Sequence, residues 1–216
     1  RIENIVTTND ELYRALAFGE ETESAKEVVN YKHALFEGLE ILQERSVLSV
    51  GDVETIHGTL GANAPGLRAN LPEFENTLTR LARVRNGIRE IIYTPPHGKP
   101  LLQRLLLDLL EFVYDDDRYP VHPLIKIALA HRQFERIHPF QDGNGRTGRI
   151  LNILFLCQKM YLAHPVLYAS GEILRRREDY YAAFTVPEED HGAERFAGFM
   201  LEIFRDTARR TLDIVN

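Results

Sequence analysis

Apolar residues recur every three or four positions over most of the chain, a spacing that predicts a mainly helical protein. From Ala25 to Leu42 they fall at Val28, Val29, Ala34, Leu35, Leu39 and Leu42, one face of an amphipathic helix. Thr8 and Glu11 have capping-box spacing, and a short helix to about Ala17 follows. Ser49, with Asp52 three residues on, caps another to about Leu60. Leu101 to Val113 is densely apolar and helical, and Pro123 opens a helix over Leu124 to Ile137. Further helices are expected over Arg146 to Tyr161, Glu172 to Phe184 and Glu194 to Val215, the last striped by Phe196, Phe199, Met200, Ile203, Phe204 and Ala208. The helix from Arg146 is apolar nearly all round, so it should be central and buried. Asn152 is its odd polar residue, and either satisfies a backbone group or faces a ligand.

The clearest break in the helical pattern lies at Thr79 to Arg85 and Ile88 to Tyr93, two β-compatible runs flanking Asn86-Gly87. An Asn-Gly pair in that setting predicts a hairpin. The prolines of Tyr93-Thr94-Pro95-Pro96 end it. Gly61 to Pro72 reads as loop, and Arg68 within it reads as a surface arginine, with a substrate contact as the alternative. Asp115 to Asp117 reads as a solvated acidic loop. No internal repeat or low-complexity run is present.

Composition narrows the classes. A chain of 216 residues with 44% apolar residues can bury one generous core. A formal net charge of −6 argues against a nucleic-acid or membrane-surface role. Cys157 is the one cysteine, so a disulfide framework and a cysteine zinc site are excluded. No run is long and apolar enough to span a membrane, and no leader is visible, which makes a cytoplasmic location the expectation. The chain starts at Arg1 rather than Met, so sequence upstream is expected.

Candidate chemistry concentrates between the fifth and sixth of these helices, in His138-Pro139-Phe140-Gln141-Asp142-Gly143-Asn144-Gly145-Arg146-Thr147-Gly148-Arg149. Gly143 and Gly145 permit positive φ and close approach of a ligand. The start of the following helix offers unpaired N–H groups and a partial positive charge, which suits an anion. Arg146 and Arg149, three apart, can project from one face with planar forks that match phosphate oxygens. Asn144 can add a donor. Asp142 is a hard oxygen ligand of the kind that holds a magnesium–phosphate complex. His138 titrates near neutrality and can accept a proton from a hydroxyl. Phe140 plugs the loop into the core. His131, Glu135 and His138 share a helix face, which makes a metal site conceivable, but His-x-x-x-His spacing is lacking. His33 and His57 read as structural or surface residues.

His138 to Arg149 resembles, at every fixed position, the Fic (filamentation induced by cAMP) motif H-x-F-x-[DE]-G-N-G-R-x-x-R. The resemblance extends from about Ala25 to about Thr185, including Leu129 to Ile137 and Tyr93 to Pro96. It implies a mainly α fold, a Fic-type helical domain with one small β-hairpin flap. It also implies a protein adenylyltransferase: ATP with Mg2+ as cofactor, a target-protein Ser, Thr or Tyr hydroxyl as acceptor, and pyrophosphate released. By the same resemblance His138 is the general base and Asp142 the magnesium ligand. Gly143, Asn144, Gly145 and Arg146 line the phosphate cradle, and Arg149 reaches the γ-phosphate. Tyr180 and Tyr181 are nucleotide-contact candidates with apolar packing as the alternative for either ring, and Asn152 is one with a backbone partner as its alternative. Ile92, Tyr93 and Thr94 belong to the flap that aligns the target.

Many relatives carry an inhibitory helix ending in [ST]-x-x-x-E-[GN]. Glu3-Asn4 matches its last two positions, which makes Glu3 a regulatory candidate against Arg149. The expected division is residues 1–24, a segment holding the inhibitory helix end, and residues 25–216, the Fic domain with flanking helices. Gly145 argues against the kinase branch, which has Lys there. A catalytically silent nucleotide sensor, a de-AMPylating regulator and UMP transfer stand as alternatives. The apolar-striped helices could bury a homodimer face, and a DNA-binding appendage would lie beyond Asn216.

Overall fold

The structure, a computed structural model, describes residues 23–61, 66–68, 81–85 and 88–215. The helix expected over Thr8 to Ala17, the regulatory candidate Glu3, the Asn86-Gly87 turn and most of the Gly61 to Pro72 loop lie outside those residues. The described chain runs α1 (Glu23–Arg45), α2 (Val50–Thr59), β1 (Leu81–Arg85), β2 (Ile88–Tyr93), α3 (Lys99–Tyr114), α4 (Pro123–Ile137), α5 (Asn144–Gln158), α6 (Ser170–Arg175), α7 (Arg177–Phe184), a 3-10 turn (Glu188–Asp190) and α8 (Gly192–Val215).

The helix starts follow local chemistry. Ser49 Oγ accepts from the Asp52 N–H at 3.2 Å, and the Ser49 N–H donates to Asp52 Oδ2 at 2.8 Å, a reciprocal capping box that opens α2. Replacing such a cap by alanine costs ~1 kcal/mol. Pro100 sits in the first turn of α3 and Pro123 in that of α4, where a missing N–H does no harm. The stretch expected as one helix over Glu172 to Phe184 is two, α6 and α7, broken at Arg176 (φ −106°, ψ 33°).

The centre is α5. Ile150 and Leu154 are fully buried, and Leu151, Ile153, Phe155 and Leu156 nearly so, as its apolar circumference predicts. It packs between α1 and α4, and α4 in turn touches α3 and α8. Two glycines allow the close crossings. A Cβ on Gly38 would stand 2.4 Å from Leu154 Cδ1, and one on Gly148 would stand 3.1 Å from Phe134 Cδ1 and 3.2 Å from Glu135 Oε1.

β1 and β2 pair antiparallel, with Ala82 opposite Ile91, Val84 opposite Arg89 and an irregularity between Leu81 and Ala82. The hairpin is fastened where β2 ends. The Tyr93 ring meets Phe184 of α7 edge-on at 6.4 Å, and the Arg136 guanidinium of α4 lies 5.0 Å from its centroid.

The Asp115 to Asp117 loop is more than solvated. Asp116 accepts from Lys126 Nζ at 2.7 Å and from Lys159 Nζ at 2.6 Å, tying the end of α3 to α4 and α5. These hydrogen bonds, that from Lys126 first, hold its carboxyl below the usual carboxylate range. Lys126 is almost wholly buried, so its ammonium needs that partner. Among the described residues no helix is long and apolar enough to cross a membrane.

Candidate active site

The site begins where α4 stops. The His138 N–H donates to the Phe134 carbonyl at 2.9 Å, but the residue itself has turned left-handed, with φ 47° and ψ 59°. Glycine usually takes that position at a helix end. A histidine there needs its surroundings to hold it, and Arg68 does so. Arg68 Nε donates to the His138 carbonyl at 2.6 Å, and Nη2 donates to the Ile137 carbonyl at 3.1 Å and to the Pro96 carbonyl. Its own N–H donates to the Pro139 carbonyl at 2.9 Å. The last carbonyls of a helix lack partners within the helix, and here a guanidinium supplies them. Arg68 is therefore a buried strut, and the expectation of a surface arginine is corrected. Burial brings its pKa down to about 10, which leaves it charged.

The loop after His138 is pinned from behind. Phe140 is fully buried, as expected, and stacks on His57 with centroids 3.7 Å apart and planes 5° apart. His57 Nε2 donates to the Asp142 carbonyl at 2.9 Å, and burial lowers its pKa, so the ring is neutral. The Asn144 side chain closes the loop on Phe140: Oδ1 accepts from the Phe140 N–H at 2.9 Å and Nδ2 donates to its carbonyl at 2.8 Å. That side chain was expected to donate to phosphate; it is 1% exposed and turned inward instead, because the loop's own backbone groups need it.

Gly143, at φ 77°, is the N-cap of α5 and brings no side chain to cap the first turn. A helix start of this kind suits an anion through its N–H groups and partial positive charge. Asp142 is half-exposed, and its Oδ2 lies 3.5 Å from Arg146 Nη2. Arg146 Nη1 stands 3.7 Å from Glu27 Oε1 of α1. Arg146 and Arg149 are both buried. A Cβ at position 145 would approach Arg149 Nη1 to 2.9 Å, so only glycine leaves that guanidinium in place. Arg149 also acts on its neighbours: Tyr31, whose phenol burial raises to about 12, feels its charge in the opposite direction.

Burial, and then the Arg68 charge, bring the His138 ring down to about 4. It is therefore neutral, the form able to accept a proton, across the physiological range. Its Nδ1 meets no partner of full hydrogen-bonding geometry among the described residues, although the Glu135 carbonyl lies near enough to favour protonation.

His138, Asp142, Gly143, Gly145, Arg146 and Arg149 thus share one loop and one helix start. Asn152 and Tyr180 do not face it. Asn152 Nδ2 donates to His131 Nδ1 at 3.0 Å, and the neutral His131 ring can donate from Nε2 to Tyr180 Oη at 3.3 Å. All three are buried, and the Tyr180 ring packs against Phe184, Phe196 and Phe199. Tyr180 takes its packed alternative, whereas the Asn152 amide meets a side-chain ring, neither of the partners expected for it. Tyr181 is half-buried on α7, with the Arg177 guanidinium 5.8 Å from its ring. Of the flap candidates, Tyr93 anchors the hairpin base and Thr94 is exposed, while the Ile92 side chain lies outside the description. Among the described residues no three His, Cys, Asp or Glu side chains gather as a metal site. An ion at Asp142 would therefore take most of its ligands from a phosphate and water.

The profile of the Fic/DOC family matches residues 47–156, and that of the Fic/DOC family N-terminal region matches residues 1–40. The chain is similar to protein adenylyltransferase fic-1 of Caenorhabditis elegans, 26% identical over 144 residues, 67% of this chain and 25% of that protein. It is similar to protein adenylyltransferase Fic of Culex quinquefasciatus, 33% identical over 119 residues, 55% of this chain and 22% of that protein. The matches span about a quarter of those curated relatives. Among solved structures, a Fic family protein from Desulfovibrio desulfuricans superimposes with a TM-score of 0.73 at 26% identity, covering 99% of this chain and 62% of that one. Fic-1 from Caenorhabditis elegans does so with a TM-score of 0.69 at 19% identity, covering 99% and 59%, and shares the fold.

Proposed function

Because the chain belongs to the Fic/DOC family, we propose that it is a protein adenylyltransferase, moving AMP from ATP to a hydroxyl of a target protein. The observation that carries the reading is the gathering, at the first turn of α5, of the Asp142 carboxylate, the Arg146 and Arg149 guanidiniums and a neutral His138. The relatives named as protein adenylyltransferases support the reaction type.

The donor set fits ATP with magnesium. Asp142 would hold the ion, which when bound neutralises charge on the phosphates. Gly143, Gly145 and Arg146 would cradle the phosphate chain at the helix start, and Arg149 would hold its far end. His138 takes the proton of the target hydroxyl as its oxygen bonds to the α-phosphorus; the α–β bridging bond breaks and pyrophosphate leaves. A base in this role contributes ~10²–10⁴-fold, and positioning with charge supplies most of the rest. The β1–β2 hairpin would align the target segment beside the base. Glu3 is proposed to hold Arg149 and restrain ATP.

The experiment is incubation with Mg2+ and ATP labelled at the α- or the γ-phosphate, comparing the unaltered chain, Glu3→Gly and His138→Ala. Label from the α-position alone, faster in Glu3→Gly and lost in His138→Ala, is expected. Transfer of γ-label would overturn the reading in favour of a kinase. Nucleotide binding without transfer even in Glu3→Gly would make the domain a sensor. Equal rates with and without Glu3 would remove the inhibitor assignment alone.

A further inference from the structure

We propose that Arg68 is a positioning residue that sets the base against the target strand. One guanidinium ties the Ile137 and His138 carbonyls, where the base leaves α4, to the Pro96 carbonyl, where the hairpin segment ends. The inference rests on the reading of His138 as base and of the hairpin as target-aligning flap.

The geometry is specific to arginine. Its planar fork reaches carbonyls from two chain segments at once, which an ammonium at the end of a flexible stem cannot do. The residue is 4% exposed, so its donors are not shared with bulk water. Its backbone N–H, bound to the Pro139 carbonyl, fixes the fork from the other side of His138. Main-chain groups of three successive residues, Ile137, His138 and Pro139, are thus held by one side chain and its own backbone. That is the support a left-handed histidine requires. The ties of the Tyr93 ring are of a different kind. Arg136 and Phe184 touch the Tyr93 ring, which places a side chain but does not register the strand's backbone against the α4 end. β2 ends at Tyr93, three residues before Pro96, so the Arg68 bond links helix position to strand position. The phosphate cradle of residues 142–149 is pinned separately, by His57, Asn144 and Thr147. Loss of Arg68 should therefore shift the base and the strand relative to one another and leave ATP held as before.

The test compares Arg68→Lys and Arg68→Met with the unaltered chain in a Glu3→Gly background, measuring label incorporation from α-labelled ATP against ATP concentration. A displacement on the order of 1 Å at reacting groups costs ~10²-fold. The folded Met variant is expected to lose about that factor in kcat with the KM for ATP within ~2-fold, and the Lys variant to fall between the two. Folded variants that keep the original kcat, or that lose ATP affinity in proportion, overturn the proposal. His138→Ala run in parallel separates the two readings: if it retains full transfer, the base assignment itself fails, whatever Arg68 does. Should neither Arg68 variant fold, the unaltered protein answers through side-chain NMR. The Arg68 Nε–H, buried against the His138 carbonyl, is expected to exchange with solvent ~100-fold more slowly than an exposed arginine; exchange at the exposed rate overturns the strut.

Discussion

Two histidines lie seven residues apart, His131 within α4 and His138 at its C-cap, and the protein treats them oppositely. His131 is saturated through its ring: one nitrogen takes the Asn152 amide and the other faces the Tyr180 hydroxyl, inside a shell of aromatic rings. His138 is saturated through its backbone. Phe134 takes its N–H, Arg68 takes its carbonyl, and the ring is left with an Nδ1 that no described group fully engages. Burial keeps both rings neutral, at about 3 for His131 and about 4 for His138. A depressed pKa therefore does not distinguish a catalytic histidine from a structural one here. What distinguishes them is which part of the residue the fold has committed. A side chain meant to exchange a proton must be held without its nitrogens being consumed.

The largest expected effect breaks the pair apart. His138→Ala should abolish transfer, by ~10²–10⁴-fold, while denaturant unfolding stays close to that of the unaltered chain. His131→Leu should do the reverse. It strands the Asn152 amide and the Tyr180 hydroxyl in the interior, at ~1–3 kcal/mol for each unsatisfied group, yet leaves transfer per folded molecule within ~2-fold. Urea midpoints and initial rates on the same preparations decide it. A His131 variant that is stable but inactive would mean that the interior network reaches the reaction, and the contrast would collapse.

The next effect is on pH. In the unfolded chain both rings titrate near ~6.5. In the folded chain both are depressed, so between ~6.5 and the folded values the unfolded state binds more protons and stability falls as pH falls. The contribution is complete above ~6.5; that of His138 is lost down to about 4 and that of His131 down to about 3. Urea midpoints followed from pH 7 to pH 4 should decline, and His131→Leu should flatten the decline. Transfer should lose its base near pH 4 rather than near 6.5. An acid limb centred at ~6.5 would show the ring solvated and the burial argument misplaced.

The same contrast explains what could be read from residue order. The capping box of Ser49, the apolar circumference of α5, the hairpin around residues 86–87 and the turn at Gly143 are written in neighbouring residues, and the elements lie close to where that chemistry puts them. Arg68, His57 and Asp116 looked like a surface arginine, a bland histidine and a solvated carboxylate. Their partners are 70, 85 and up to 43 residues away, and no local spacing encodes such contacts. Nothing in the residues around Arg68 announced that Arg68 meets the end of α4. Asn144 was legible as a motif position and illegible as to direction. A short amide beside a tight turn can face outward to a ligand or inward to the backbone, and only the packed loop, through Phe140, decides.

The smallest effect sharpens the boundary between interior and site. Tyr180→Phe removes one hydroxyl, at 3.3 Å from His131, and keeps the ring among Phe184, Phe196 and Phe199. The expected loss is ~0.5–1.5 kcal/mol of stability, the net worth of one hydrogen bond, with the KM for ATP unchanged. Tyr181→Ala provides the counterpart, since that ring is half-buried beside Arg177 rather than enclosed. If ATP affinity falls in Tyr180→Phe and not in Tyr181→Ala, the hydroxyl reaches the nucleotide. The His131 cluster would then belong to the binding site, and the division between a histidine held by its ring and one held by its backbone would have to be redrawn around the ligand.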